Sequence, residues 1–328
     1  MDYDCFDRHQ INPAFMIDIS HINVTLVGFG NVGKCVLNVM LQDHHRSFNI
    51  NILDPDPNIS GSLRDLGHAC MLAKRHEIIW NSQEAFESAD FIIFCAGRAI
   101  PIGANRSFAL DENRKIVQDV FHNFKAKADP ILIVVSNPVD VISLEILQAS
   151  KLNPENILGI GTIVETLRLT HQLSLVSGIP PSEIDTLVIG EHGETMVPLI
   201  SNTFIKGIPV SKYLEEHLIR DCIYETRRAA HRIKETQHAA FYAAANAVIH
   251  VFQSILTQES NPMPLSIYHE EDGVFYSVPI KVTKGGNLLP IVLSIDTDEL
   301  EALEESKQKI RLISGVGGAG VEMSQVNK

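Results

Sequence analysis

The chain has 328 residues, with 27 Lys and Arg against 40 Asp and Glu, for a net charge of −13. So acidic a chain is a poor fit to nucleic acid or to an anionic membrane surface, since both need clustered cations. Its 45% hydrophobic and 20% charged residues exclude wholesale disorder, and a chain this long buries most of its unfolded surface without covalent staples.

Residues 1–20 show no clear period and read as an N-terminal arm. That segment is acidic, without the basic and apolar regions of a signal peptide. Short β-branched runs then alternate with helical ones. Strands are expected at Ile22–Val27, Asn49–Leu53, His76–Trp80, Phe91–Cys95, Ile131–Val135 and Ile157–Ile160, and helices at Val32–Gln42, Ser107–Lys127 and Asp140–Ala149. Apolar strands of this length between helices predict right-handed βαβ units and a parallel sheet covered on both faces. The expected fold is therefore α/β, a Rossmann-type doubly wound parallel sheet over residues 21–164. Beyond it the texture changes to an α+β substrate and catalytic domain over 165–328. One long helical region is expected from Val210 to Thr257, then strands near Leu265–His269, Val274–Val278, Ile280–Thr283 and Leu289–Leu293. A last helix is expected with Thr297 as its N-cap and Gly315 as its stop.

The five cysteines, Cys5, Cys35, Cys70, Cys95 and Cys222, are scattered and never form a Cys-x-x-Cys pair. This argues against a disulfide framework or a cysteine zinc site and suits a reducing, cytoplasmic setting. No metal site is expected, and no apolar run approaches the 18 residues a membrane-spanning helix needs.

Gly28-Phe29-Gly30-Asn31-Val32-Gly33 matches G-x-G-x-x-G between an expected strand and an expected helix. Glycines there permit a tight turn, a close approach of backbone to pyrophosphate, and close helix–strand packing. Asp54 follows 21 residues after Gly33, where the fingerprint wants an acid for the ribose hydroxyls. With Asp56 nearby it would repel a 2′-phosphate, so NAD is expected rather than NADP. Read without that context, the same glycines serve chain geometry alone and Asp54 caps the next segment.

His192, in Gly190-Glu191-His192-Gly193, ends an apolar strand and can project into a cleft. Histidine exchanges protons near neutral pH, although most of the chain's 14 histidines must be structural or superficial. Glu165 and Arg168, three apart at a helix start, share a face, as a surface salt bridge would also do. Arg106 lies in a Gly- and Pro-containing loop directly after a sheet strand, the edge where ligands bind in such folds. Asn137, in Ser136-Asn137-Pro138, either orients a carbonyl or shapes the turn before proline.

In order and spacing, the glycine loop with Asp54, residues 96–106, Ser136–Asp140, residues 161–168 and residues 189–195 resemble the L-lactate/malate dehydrogenase family over about residues 21–313. The resemblance implies an NAD-dependent enzyme acting on a small 2-hydroxy or 2-oxo acid, usually a dimer or tetramer. It implies a cofactor site at Gly28, Gly30, Asn31, Val32, Gly33, Asp54, Ala96, Gly97 and Asn137. It further implies His192 as proton donor and acceptor, Arg168 as a clamp on the substrate carboxylate, Arg106 as the loop arginine that polarises the carbonyl, and Glu165 as the partner of His192. Three departures stand out. The family has aspartate where this chain has Glu165. At the specificity position, six residues before the loop arginine, lactate enzymes resemble one another in glutamine and malate enzymes in arginine, while this chain has Ile100. Ala240 falls where the family has a substrate-domain threonine. Ile100 and Ala240 together suggest an apolar pocket and a lactate-type specificity, for pyruvate or a bulkier apolar 2-oxo acid. Malate dehydrogenase, with Arg98 as the missing cation, is the alternative. A non-catalytic nucleotide-binding relative and a metal-assisted NAD-dependent glycosidase are the readings from other classes.

Overall fold

The computed structural model describes residues 21–73, 75–98, 106–126, 129–237, 239–283 and 287–316. The expected arm and the glycine-rich tail beyond residue 316 lie outside this set.

Six parallel strands form the N-terminal half: β1 (His21–Val27), β2 (Ser47–Leu53), β3 (Glu77–Trp80), β4 (Phe91–Phe94), β5 (Ile131–Val134) and β6 (Ile157–Gly159). Their spatial order is β3-β2-β1-β4-β5-β6, with the switch point between β1 and β4. Every residue of β4 and β5 is buried, which explains their unbroken apolar sequences: both faces carry helices. The edge strand β3 differs, since Ile79 is 38% and Trp80 40% exposed. Its apolar sequence is thus not matched by burial, since these adjacent residues face opposite sides of the sheet.

The helices of this half are α1 (Asn31–Met40), α2 (Ser60–Ala73), α3 (Gln83–Glu87), α4 (Arg106–Asn123) and α5 (Val139–Ser150). The apolar face of α1 buries Val36, Leu37 and Met40. Neither α2 nor α3 stands out in the sequence. In α2 the apolar residues do not keep to one stripe, and Leu72 is 92% exposed.

The C-terminal half extends the same sheet. After α6 (Ile163–Ser177) and the short β7 (Ile184–Asp185) come β8 (Val188–Gly190) and β9 (Met196–Pro198), and later β12 (Met263–His269), β13 (Val274–Val282) and β14 (Leu288–Pro290). Strand β12 pairs antiparallel with β6 through Ser266 and Gly159, and β13 then joins β12 to β8. Strands β10 (Phe204–Ile205) and β11 (Ile208–Pro209) make a small separate sheet with β7. The two strands expected around Pro279 are one, β13. Proline 279 sits opposite Pro264 in an antiparallel register, where its missing N–H does not end the ladder.

The single helical region expected over Val210–Thr257 is in fact three helices, α7 (Val210–Tyr213), α8 (Glu216–Gln237) and α9 (Tyr242–Thr257). Periodicity alone does not reveal these breaks, because the sequence around them carries neither proline nor glycine. Helix α9 crosses back onto the first half. Its Phe252 ring lies 4.7 Å from Phe91 and 5.7 Å from Phe48, centroid to centroid.

The last helix is α10 (Thr297–Ser314). Its N-cap is Asp296, not Thr297. The Asp296 carboxylate accepts from the Glu299 N–H at 2.9 Å, while the Glu299 side chain accepts from the Asp296 N–H at 3.2 Å. A carboxylate completes this reciprocal box and also favours the positive end of the helix dipole. Gly315 closes the helix in the left-handed region, at φ 71°, as its position suggests.

Candidate active site

The glycine loop is built by close approach. A Cβ on Gly28, whose φ is +91°, would lie 2.5 Å from the Ala96 Cα, and one on Gly33 would lie 2.3 Å from the Gly28 carbonyl oxygen. Gly30 by contrast faces open space, with nothing within 4 Å of where a Cβ would be. Gly30 is also the N-cap of α1 and offers no side-chain acceptor, so the first N–H groups of that helix are left for a ligand. Asn31 and Gly30 are exposed, and Val32 is half-buried, at this end.

Asp54 follows β2 directly and ties the two segments together, its Oδ2 accepting the Phe29 N–H at 2.7 Å. Its own backbone is gripped by Asn81, whose Oδ1 accepts the Asp54 N–H and whose Nδ2 donates to the Asp54 carbonyl, each at 2.9 Å. Asp56 points elsewhere, capping the next turn through the Asn58 N–H at 2.9 Å. A narrow glycine cradle, a bare helix N-terminus and a fixed carboxylate at the end of β2 fit a dinucleotide. NADH should outperform NADPH by about tenfold or more in kcat/KM, since a phosphate beside Asp54 meets like charge. Asp54→Ser should narrow that gap, and equal efficiency with both cofactors would refute the assignment.

The loops after β4 and β5 are stitched to each other. Asn113, buried in α4, accepts the Arg98 N–H at 2.7 Å and donates to the Asn137 carbonyl at 2.8 Å. Ser136 donates to the Ala96 carbonyl at 2.5 Å. Ala96, Gly97 and Asn137 are thus held at one edge of the sheet. Asn113 carries no signal in the sequence, being one polar residue in a helix of many. Arg106 opens α4 at this edge, its side chain lying outside what the structure describes. Ile100 also lies outside the described residues. Ala240 is half-buried in the connection between α8 and α9.

The second constellation centres on Glu165 in the first turn of α6. Its Oε2 lies 2.8 Å from His192 Nδ1, and its Oε1 accepts from an Arg168 Nη at 2.9 Å. The side chain is only 6% exposed, against 16% for His192 and 15% for Arg168. This is no surface salt bridge. Burial by itself would raise the Glu165 carboxyl, but His192 and Arg168 together hold it below the ordinary carboxylate range. For His192, burial favours the neutral ring, yet Glu165 at Nδ1, with Asp140 behind it, holds the imidazole above its ordinary value. Nε2 is left as the nitrogen that can pass a proton outward.

Residues that sequence reasoning left out hold His192 from behind. Asp140 Oδ2 accepts the His192 N–H at 2.9 Å. Glu191 accepts from Thr195 and from Lys309 Nζ, the latter at 2.9 Å, while the Glu191 N–H donates to Ser306 Oγ at 2.7 Å. Asp140 and Glu191 lie inside the motifs, but their spacing tells nothing of long-range partners on β12 and α10. Among the described residues no group of three or more His, Cys, Asp or Glu side chains is placed to hold a metal ion. Likewise no helix among them is long and apolar enough to cross a membrane.

Two family models account for nearly all of this: the lactate/malate dehydrogenase NAD binding domain matches residues 22–159, and the alpha/beta C-terminal domain matches residues 162–314. The chain belongs to the lactate/malate dehydrogenase family. Its relatives within that family include an L-lactate dehydrogenase of Corynebacterium efficiens, 27% identical over 88% of this chain and 95% of the relative. Another, of Clostridium botulinum, is 28% identical over 85% and 91%. Solved structures of the family share the fold. A lactate dehydrogenase from a Medee basin deep-sea metagenome library and the malate dehydrogenase of Cryptosporidium parvum each superpose with a TM-score of 0.82 at 24% identity, covering 90% of this chain and 98% of theirs. Both kinds of family member therefore match the fold equally well, and substrate choice has to come from the site. Arg168→Lys should raise KM for the acid substrate and lower kcat/KM by about 10²-fold, because a point charge cannot reproduce a two-pronged contact on a carboxylate. Unchanged KM and kcat would remove Arg168 from that role.

Proposed function

We propose that this protein is an NAD-dependent L-2-hydroxyacid dehydrogenase of the lactate type, interconverting lactate and pyruvate or a bulkier apolar pair. The observation that carries this reading is the double contact of Glu165: one buried carboxylate holds both the His192 imidazole and the Arg168 guanidinium. A nucleotide-binding fold alone requires none of the three. NADH, when bound, supplies the hydride that reduces C2 of the 2-oxo acid. Arg168 takes the substrate carboxylate on the guanidinium N–H groups that Glu165 leaves free. His192 donates its Nε2 proton to the oxygen that gains charge, and Glu165 stabilises the imidazolium before that step. Arg106 is assigned to polarising the carbonyl, and Asn137 to contact with substrate and cofactor. Ala96 and Gly97 border the dinucleotide beside Gly28.

Lactate-type over malate-type rests on Ile100 and Ala240. A branched apolar residue offers a second carboxylate no partner, and burying one unpaired costs several kcal/mol. NADH oxidation measured against pyruvate, oxaloacetate, 2-oxoisocaproate and phenylpyruvate tests this. An apolar acid should beat oxaloacetate by at least about tenfold in kcat/KM, or about 1.4 kcal/mol. Ile100→Arg should raise oxaloacetate turnover and depress pyruvate turnover. A wild-type preference for oxaloacetate would overturn the reading in favour of a malate enzyme. We place the protein in the cytoplasm on its cysteine usage, and infer a homo-oligomer from its family; light scattering decides the latter.

A further inference from the structure

Asp140 is a carboxylate in an unusual position. It is 2% exposed, at the second position of α5, three residues after Asn137. Its Oδ2 accepts the backbone N–H of His192 at 2.9 Å, and its Oδ1 accepts the Ser266 hydroxyl at 2.6 Å. Ser266 belongs to β12, in the one register pair that joins the antiparallel strands to β6. Three segments distant in sequence therefore meet on one side chain: the loop after β5, the loop after β8, and the centre of the extended sheet. The site tolerates no larger neighbour, since a Cβ on Gly159 would lie 2.9 Å from the Ser266 Cβ.

We propose that Asp140 is a positioning residue for His192, fixing the histidine's backbone against the Asn137 loop and placing a second buried carboxylate beside the site. The catalytic part of this inference rests on the dehydrogenase reading. The effect on His192 titration does not.

The partners of Asp140 are a peptide N–H and a hydroxyl, and an asparagine would satisfy both through its oxygen and amide. What the acid adds is charge. That charge is unfavourable for folding, because burial pushes the Asp140 carboxyl up to about 6, despite the bonds from Ser266 and His192. A carboxyl raised above its unfolded value stabilises the protein fully only below about pH 4 and loses that contribution as pH rises through about 6. Above that pH the protein holds a buried anion at the expense of stability, as functional groups do. The charged groups facing it are His192 and Glu191, both on the loop after β8. Those facing His192 are Glu165 and Arg168 on α6, besides Asp140 itself. His192 thus lies between two carboxylates, one at its ring and one at its backbone.

The test is Asp140→Asn in the full chain, with the His192 imidazole followed by NMR of labelled histidine and assigned by its loss in His192→Gln. The imidazole should titrate at lower pH, with a protonation constant about threefold smaller. The alkaline limb of kcat/KM for 2-oxo acid reduction should move to lower pH by the same factor. At pH 8 the variant should melt at a higher temperature than wild type, and the difference should shrink by pH 5. An imidazole titration identical to wild type would overturn the proposal, as would a variant less stable at pH 8 with an unmoved limb. Should Asp140→Asn fail to fold, Ser266→Ala serves instead. It removes a bond that favours the ionised carboxyl, so His192 should again titrate lower, and an unmoved imidazole again overturns the idea. A shifted imidazole in a protein inactive on every 2-oxo acid supports the role of Asp140 and refutes the dehydrogenase reading, so the two fail separately.

Discussion

His192→Gln should lower kcat for 2-oxo acid reduction by about 10²- to 10⁴-fold, the range a positioned acid–base group supplies, while NADH affinity stays near wild type. Glutamine approximates the reach of the ring and can accept or donate a hydrogen bond, but it cannot carry a proton. The site invests heavily in that proton. The Glu165 carboxylate lies 2.8 Å from Nδ1 and holds the imidazole above its ordinary value. Reduction, which needs the imidazolium, should therefore hold up past pH 6.5 and fall as pH rises through the raised value. Oxidation of the hydroxy acid needs the neutral ring and should rise over the same interval. In His192→Gln both dependences should flatten. Near wild-type turnover in the variant would remove His192 from the chemistry.

Glu165→Gln should do comparable damage, by about 10²-fold or more, through a different route. The amide can still touch Nδ1, but the ring loses the charge that favours its cationic form. Arg168 simultaneously loses its anionic partner in a site where both side chains are largely buried. KM for the acid should move as well as kcat, unlike in His192→Gln, because both partners of Glu165 are disturbed. Glu165→Asp discriminates further. The extra methylene lets one carboxylate span His192 and Arg168, and an aspartate on the same backbone is too short to hold both. If restoring the family's aspartate left both constants unchanged, the double contact would have no functional weight.

The fold was legible in the sequence wherever one signal decided the matter. β4 and β5 are unbroken apolar runs, and such runs have few homes other than a sheet covered on both sides. The glycine loop is equally explicit, because Gly28 and Gly33 approach backbone so closely that a Cβ would be excluded. Elements whose signals conflict were not legible. Helix α2 leaves Met71 and Leu72 exposed and so has no clean stripe. The breaks on either side of α8 carry no proline or glycine to mark them. Thr297 and Asp296 are both competent caps, and only the reciprocal bond with Glu299 decides between them. In the site, Glu165, Arg168 and His192 were readable as types at a spacing. Their meeting was not, since His192 lies 27 residues from Glu165 in the chain. Asp140, Asn113 and Lys309 were invisible as functional residues because their partners lie on other elements.

The network around Glu191 ties the chemistry to the end of the chain. Ser306 and Lys309 sit in the middle and second half of α10, and together with Thr195 they hold the residue before His192. Gly190 is threaded against the same helix, for a Cβ there would lie 2.7 Å from Ser306 Oγ. The placement of the His192 loop therefore depends on whether α10 is docked. The glycine loop is tied in as well, since α9 packs on α1 and one hydrophobic core runs through both halves of the chain. The aim of the proposed proton donor is thus a property of the packed whole, sensitive to a helix more than a hundred residues further along the chain.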